Sequence, residues 1–157
     1  MKCAAFAAAL AAAVLASGCQ APVQHMTASG KVEATFKSPP DQVKPIIVSK
    51  MVDYGYNLTK DTTYMVAFER PVTNILAAAL LGSRYDSTPN ARISYVFAPV
   101  GPNTRVVVDF TIVTNPGSAF ERLTPVNNNA DTMKIQAWLD NVAEGRPIPA
   151  GLEMIRQ

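Results

Sequence analysis

Reactive side chains are scarce in this chain. Of its 157 residues two are cysteines, Cys3 and Cys19, and one is a histidine, His25. All three lie at the amino-terminal end, so everything after position 25 carries neither thiol nor imidazole. That excludes Cys–His and Ser–His nucleophile pairs from the body of the protein and removes the best ligands of a transition-metal site. Long apolar runs are missing too. After the first turn of sequence, the most prominent one, 75–81, falls far short of the ~20 residues that cross a bilayer as a helix. Charge is thin, with 17% Asp, Glu, Lys and Arg and a formal balance of +2. The basic residues form no run, so there is no electrostatic footprint for nucleic acid. No Gly-rich phosphate loop or dinucleotide fingerprint is present, and no cofactor or metal is expected.

What is present begins at the amino terminus. Lys2 supplies one positive charge, and residues 3–16 then run without charge, carrying Phe6, Leu10, Val14 and Leu15 among alanines. As a helix this stretch reaches only ~21 Å, short of the ~30 Å hydrocarbon core, so it reads as a secretory signal and not as a membrane span. It closes with Leu15-Ala16-Ser17-Gly18-Cys19, small residues followed by a cysteine. This sequence resembles the lipobox of bacterial lipoproteins. The resemblance implies diacylglycerol on the Cys19 thiol, cleavage after Gly18 and acylation of the new amino group. Ordinary signal cleavage at the same place is the alternative, since Ala16 and Gly18 also suit a small-x-small pattern.

Several expectations follow from that resemblance. A multiply acylated Cys19 holds a protein to a membrane stably, which a single chain does not. Gln20 follows the cysteine in place of the Asp that tends to retain such proteins in the inner membrane, which favours the periplasmic face of the outer membrane. The mature chain would contain no free thiol and no disulfide, and its stability must come from its core. Residues 1–18 are then signal peptide, 19–30 a tether, 31–147 a single domain and 148–157 a tail. His25, inside the polar tether, is expected to be mobile and without a role.

Within the domain, residues 31–37 alternate, with Val32, Ala34 and Phe36 on the apolar side of a strand. Ser38-Pro39-Pro40-Asp41 predicts a helix start with Ser38 as N-cap, and Val43, Ile46, Ile47, Met51 and Tyr54 share the face of that helix. Pro45 predicts a kink or a late regular start, and Gly55 a left-handed end. Residues 56–59 and 63–69 read as strands joined at Lys60-Asp61-Thr62, with Tyr56, Leu58, Tyr64, Val66 and Phe68 inward. Residues 72–81 suggest a short helix. Residues 92–98 and 104–114 form a clear hairpin around Pro99 to Asn103, with Ile93, Tyr95, Phe97, Val106, Val108, Phe110 and Ile112 on one side. Ser118 to Glu121 has capping-box spacing, and a last helix carries Ile135, Trp138, Leu139 and Val142 on one face up to Gly145.

The fold class is therefore α+β: a two-layer domain with an antiparallel sheet of about five strands and two main helices on one face. The expected function is a non-catalytic binding or envelope-assembly module, anchored in the membrane by lipid on Cys19 and contacting another envelope protein. The candidate interaction residues are Leu76, Leu80 and Leu81 in the apolar segment and Val96 and Val107 on the second sheet face. Two alternatives stand beside it. One is a carrier enclosing a small apolar ligand among Tyr56, Tyr64, Phe68, Tyr95 and Phe110. The other is a cell-wall hydrolase using Glu69, Asp109 and Glu121, although Asp109 is read as an outward residue paired with Arg105 or Arg92 and Glu121 as a cap.

Overall fold

A computed structural model describes residues 25–72, 88–126, 130–150 and 152. The chain runs β1 (Val32–Phe36), α1 (Pro40–Asp53), β2 (Asn57–Thr62), β3 (Met65–Pro71), β4 (Asn90–Val100), β5 (Asn103–Thr114), β6 (Arg122–Pro125) and α2 (Ala130–Ala143). All strands join one antiparallel sheet in the order β1-β5-β4-β3-β2, with β6 pairing β5 beyond the end of β1. The α+β fold with both helices packed into one core on one sheet face is what the alternation implies. Because β1 and β2 sit at opposite edges of the path, α1 has to cross the sheet between them, and it contacts β2, β4 and β5.

The inward rows follow from the register. Val32 lies opposite Val108, Val108 opposite Tyr95, and Tyr95 opposite Val66. A second row joins Phe110, Ile93 and Phe68. These β-branched and aromatic side chains fill a pleated surface well. Onto it α1 presses Val43, Ile47 and Met51, and α2 presses Ile135, Trp138 and Leu139, all buried. Trp138 is the keystone. Its ring meets Tyr54 at 6.3 Å and Tyr95 at 6.2 Å, and its Nε1 donates to the Tyr54 hydroxyl at 3.1 Å. Helices from both ends of the sequence are thus joined to the central strand through one side chain.

Both helices end in the same way. Gly55 (φ 79°) donates to Val52 and Tyr56 to Met51; Gly145 (φ 65°) donates to Val142 and Arg146 to Asn141. These paired bonds satisfy the last carbonyls and require a left-handed residue, which glycine supplies without Cβ strain. A Cβ on Gly55 would meet nothing within 4 Å, so the penalty there is purely conformational. Gly55→Ala is expected to cost about 1 kcal/mol and Gly55→Asn less, read from urea unfolding midpoints.

The start of α1 differs from the expectation by one residue. Pro39 occupies the N-cap and Pro40 the first helical position, with no side-chain cap. Ser38 is instead engaged through its carbonyl, which accepts a 2.7 Å bond from the buried Thr104 hydroxyl. The helix continues through Pro45, which is exposed. Ile46 is 45% exposed and does not join the core face. Leu58, on the inward face opposite Phe68, and Tyr64 are also exposed, at 43% and 56%. The reason is that β2 is an edge strand and that the turn to β3 is Thr63-Tyr64, two residues later than expected. The β4–β5 hairpin is longer than expected and turns on Gly101-Pro102 alone, with Gly101 at φ 59°. Residues 118–121 form turns and no helix; they lead into β6, which the sequence reading lacked.

Sheet edges usually invite unwanted pairing. Here β1 is closed by a side chain. The Gln136 amide accepts from the Glu33 backbone N–H at 3.0 Å and donates to its carbonyl at 2.8 Å, imitating a neighbouring strand from α2, while Asp140 holds the same amide at 2.8 Å. At the other edge β2 is bulged between Leu58 and Lys60 and carries Lys60 and Asp61. Lys44 on α1 ties down Asp61 and the Thr62 carbonyl. Gln136→Ala is expected to cost about 2 kcal/mol and to speed amide exchange along β1, with β3 and β4 unaffected.

Candidate interaction face

The second face of the sheet carries the odd-numbered residues of β5 and the even-numbered ones of β4, the two long central strands. Both helices pack on the other face, and among the described residues no helix lies here. Across four strands the register aligns Glu33, Val107, Val96 and Met65 in one row. The neighbouring row holds Asp109, Ser94 and Ala67. Val96, Val107 and Met65 are each half-buried by their neighbours and otherwise open. They make a short apolar strip in the middle of a polar face.

Around that strip ion pairs within the chain hold most of the charges, while Lys60, opposite Ala67 at the β2 edge, joins none of them and Arg105 Nε is left without a partner. Arg105 donates to Glu33 at 2.6 Å, and Lys31 to Asp109 at 2.6 Å. Arg92 donates through Nε to Glu69 at 2.6 Å and through Nη2 to Glu121 at 3.1 Å. Asn90 adds a 3.0 Å bond to Glu69, and the Gly117 N–H a 2.9 Å bond to Glu121. These assignments correct the expected pairing of Asp109, whose partner is Lys31 and not Arg105 or Arg92. Glu121 is likewise no helix cap, since its carboxylate closes the 117–121 turn and meets Arg92.

The electrostatics follow from these contacts. Burial raises the Glu33 carboxyl, but hydrogen bonds from Arg105 and from Ser29, with the Arg105 charge, outweigh it and hold the group below its ordinary value of 4.5. A carboxylate held low stabilises the fold above the ordinary value and loses that contribution as pH falls through the native one. Wild type and Glu33→Gln should therefore differ in urea midpoint at pH 7 and converge as pH falls below 4.5. Glu121 is held low chiefly by the Gly117 N–H, with Arg92 assisting. A general acid needs a raised carboxyl, and Arg92 lies between Glu69 and Glu121 where a sugar would need room. Among the described residues no three His, Cys, Asp or Glu side chains converge on a metal position.

The carrier's aromatics also part company. Phe68 and Tyr95 touch edge to face at 6.0 Å, and with Tyr56 they are buried in the filled core. Tyr64 faces solvent, so the five rings do not line one chamber. Met51 Sδ accepts from the Tyr95 hydroxyl at 3.2 Å, and burial pushes that phenol well above its ordinary range.

Of the candidate interaction residues, Val96 and Val107 stand directly opposite one another on the open face. Leu76, Leu80 and Leu81 lie outside the described residues, as do Cys19 and the triple asparagine at 127–129. His25 is a correction: at 8% exposure it is buried against the domain. Ala67 and Val113 are buried on the second face, which the mixed pattern of that face did not indicate. Comparison of the chain with protein-family models gives no match, and comparison with curated proteins gives none either.

Proposed function

We propose that the protein is a lipid-anchored envelope protein, held through Cys19 at the periplasmic face of the outer membrane, that docks another envelope protein on its open sheet face without catalysing a reaction. One observation carries the docking part: Val107, Val96 and Met65 form an apolar centre on the face that no helix among the described residues covers, bordered by ion pairs within the chain. An apolar centre inside a polar rim is the anatomy of a protein–protein interface. Blunted edges at β1 and β2 support the face over strand addition as the mode of contact. The lipobox and Gln20 support the anchor and its membrane.

The test is photo-crosslinking in living cells from Val96 and Val107. The reading expects one envelope protein captured from both positions and not from Ser49, which is exposed on α1. Absence of adducts from both, or the same adducts from Ser49, would count against it.

A further inference from the structure

His25 is the one imidazole in the chain, and its placement is not that of a tether residue. Its neighbour Met26 is fully exposed, whereas His25 is tucked in. The chain between them and β1 makes a turn: Gly30, at φ 67°, donates to the Thr27 carbonyl at 3.1 Å. Ser29 fastens that turn to the Glu33 carboxylate through its hydroxyl and, at 3.2 Å, through its N–H. The turn folds His25 back over the junction where β1 ends and β6 begins along β5. There it shares a cavity with Gly30, Lys31, Val32, Val108, Phe110, Val126 and Thr132. At about 10 Å³ that cavity has room for little more than a water, so it is no ligand pocket. Neither ring nitrogen has a hydrogen-bond partner.

We propose that neutral His25 is a latch that docks the amino-terminal segment onto the domain, and that protonation of its ring releases the segment. The surroundings accept an uncharged imidazole and penalise a charged one. From β5 and the residue after β6 come only Val108, Phe110 and Val126. From the start of β1 comes Lys31, the only charged one among the described residues that line the cavity, whose ammonium is engaged by Asp109 on the other face of the sheet. From α2 comes Thr132, with Asp131 exposed beside it and Lys134 beyond, at the helix end where the dipole is positive. Burial lowers the His25 ring below its ordinary value of 6.5.

The direction of the switch follows. Docking is complete above 6.5 and weakens as pH falls from there through the docked value, about tenfold for each pH unit by which docking lowers the ring. Glu33 stays ionised across that interval, so the turn itself persists until more acid conditions. Where Cys19 is the lipid attachment point, which rests on the proposed anchor, six residues reach ~20 Å from the docked ring, and release as far as the 27–30 turn lengthens this to ~27 Å. Acid would thus let the domain move further from the membrane.

A single histidine makes the test direct. The His25 ring is titrated by NMR in the full chain purified from membranes, and amide protection of residues 25 and 26, ahead of the turn, is followed between pH 7.5 and 5. The expected result is titration below 6.5, with protection of that segment falling by the factor that the measured lowering of the ring sets, while Tyr95 and Val108 hold theirs. His25→Phe and the smaller His25→Leu should keep the segment protected at both pH values. Titration at or above 6.5, or an equal loss of protection in a correctly folded His25→Phe or His25→Leu protein, would overturn the latch. The mass of the same preparation reports lipid on Cys19 separately, so failure of the anchor and failure of the latch give different results.

Discussion

Trp138→Ala is expected to lower the unfolding free energy by about 3–5 kcal/mol, a large part of the 5–15 kcal/mol typical of such a domain. The ring is fully buried where α1, α2 and β4 meet, so its loss opens a cavity between three elements that cannot all collapse onto it. It also removes the donor to Tyr54. Trp138→Phe should cost less, about 1–2 kcal/mol, since most of the apolar area remains and the half-buried Tyr54 hydroxyl can turn to water. Urea unfolding followed by far-UV circular dichroism separates the two. A loss below 1 kcal/mol for the alanine variant would mean that the helices are not held through this residue.

Cys19→Ser is expected to act on location and leave the fold alone. Serine offers no thiol for diacylglycerol, and lipoprotein signal peptidase requires the modified cysteine, so the variant should accumulate uncut and fail to incorporate labelled palmitate. The domain itself contains no cysteine, and its urea midpoint should match wild type once the first eighteen residues are removed. A Cys19→Ser protein that is cleaved and fractionates with membranes as wild type does would refute the anchor.

How much could be read from the chain depended on whether a feature was local. Alternation in 92–98 and 104–114 placed Ile93, Tyr95, Phe97, Val106 and Val108 in the core, because the period of a strand alone decides which side chains share a face. Gly55 and Gly145 were legible as helix ends for the same reason. Leu58 went wrong because alternation does not say that a strand lies at an edge, where even the apolar side meets solvent, and Tyr64 because it falls in the turn between β2 and β3. β6 is only four residues long and all exposed, so it had no period to show, although the preceding Asn115-Pro116-Gly117 turn was a hairpin signal. The ion pairs were invisible for a different reason. Asp109 had Arg105 and Arg92 near in register, but Glu33, Glu69 and Glu121 took both, leaving Lys31. His25 carried no signal in the sequence, since its burial depends on a turn held by Glu33 from the next strand.

The edges and the face of the sheet bear on one another. Gln136 closes β1 at Glu33, and the bulge with Lys60 and Asp61 blunts β2, so these two edges offer little backbone for pairing. What the sheet offers instead is side chains: a narrow apolar strip with a rim most of whose charges pair with one another. Such a rim loses little to desolvation when a partner covers it, and its remaining hydrogen-bonding capacity sets orientation more than affinity.

The most direct measurement of that docking uses the absence of cysteine after position 19. Single cysteines at Val96→Cys, Val107→Cys and Ser49→Cys are reacted with a maleimide, in cells and in the purified protein. Docking of a partner on the open face requires that positions 96 and 107 react at least about tenfold more slowly in cells than after purification, while position 49 reacts equally in both. Equal reactivity at all three positions in both settings would contradict it.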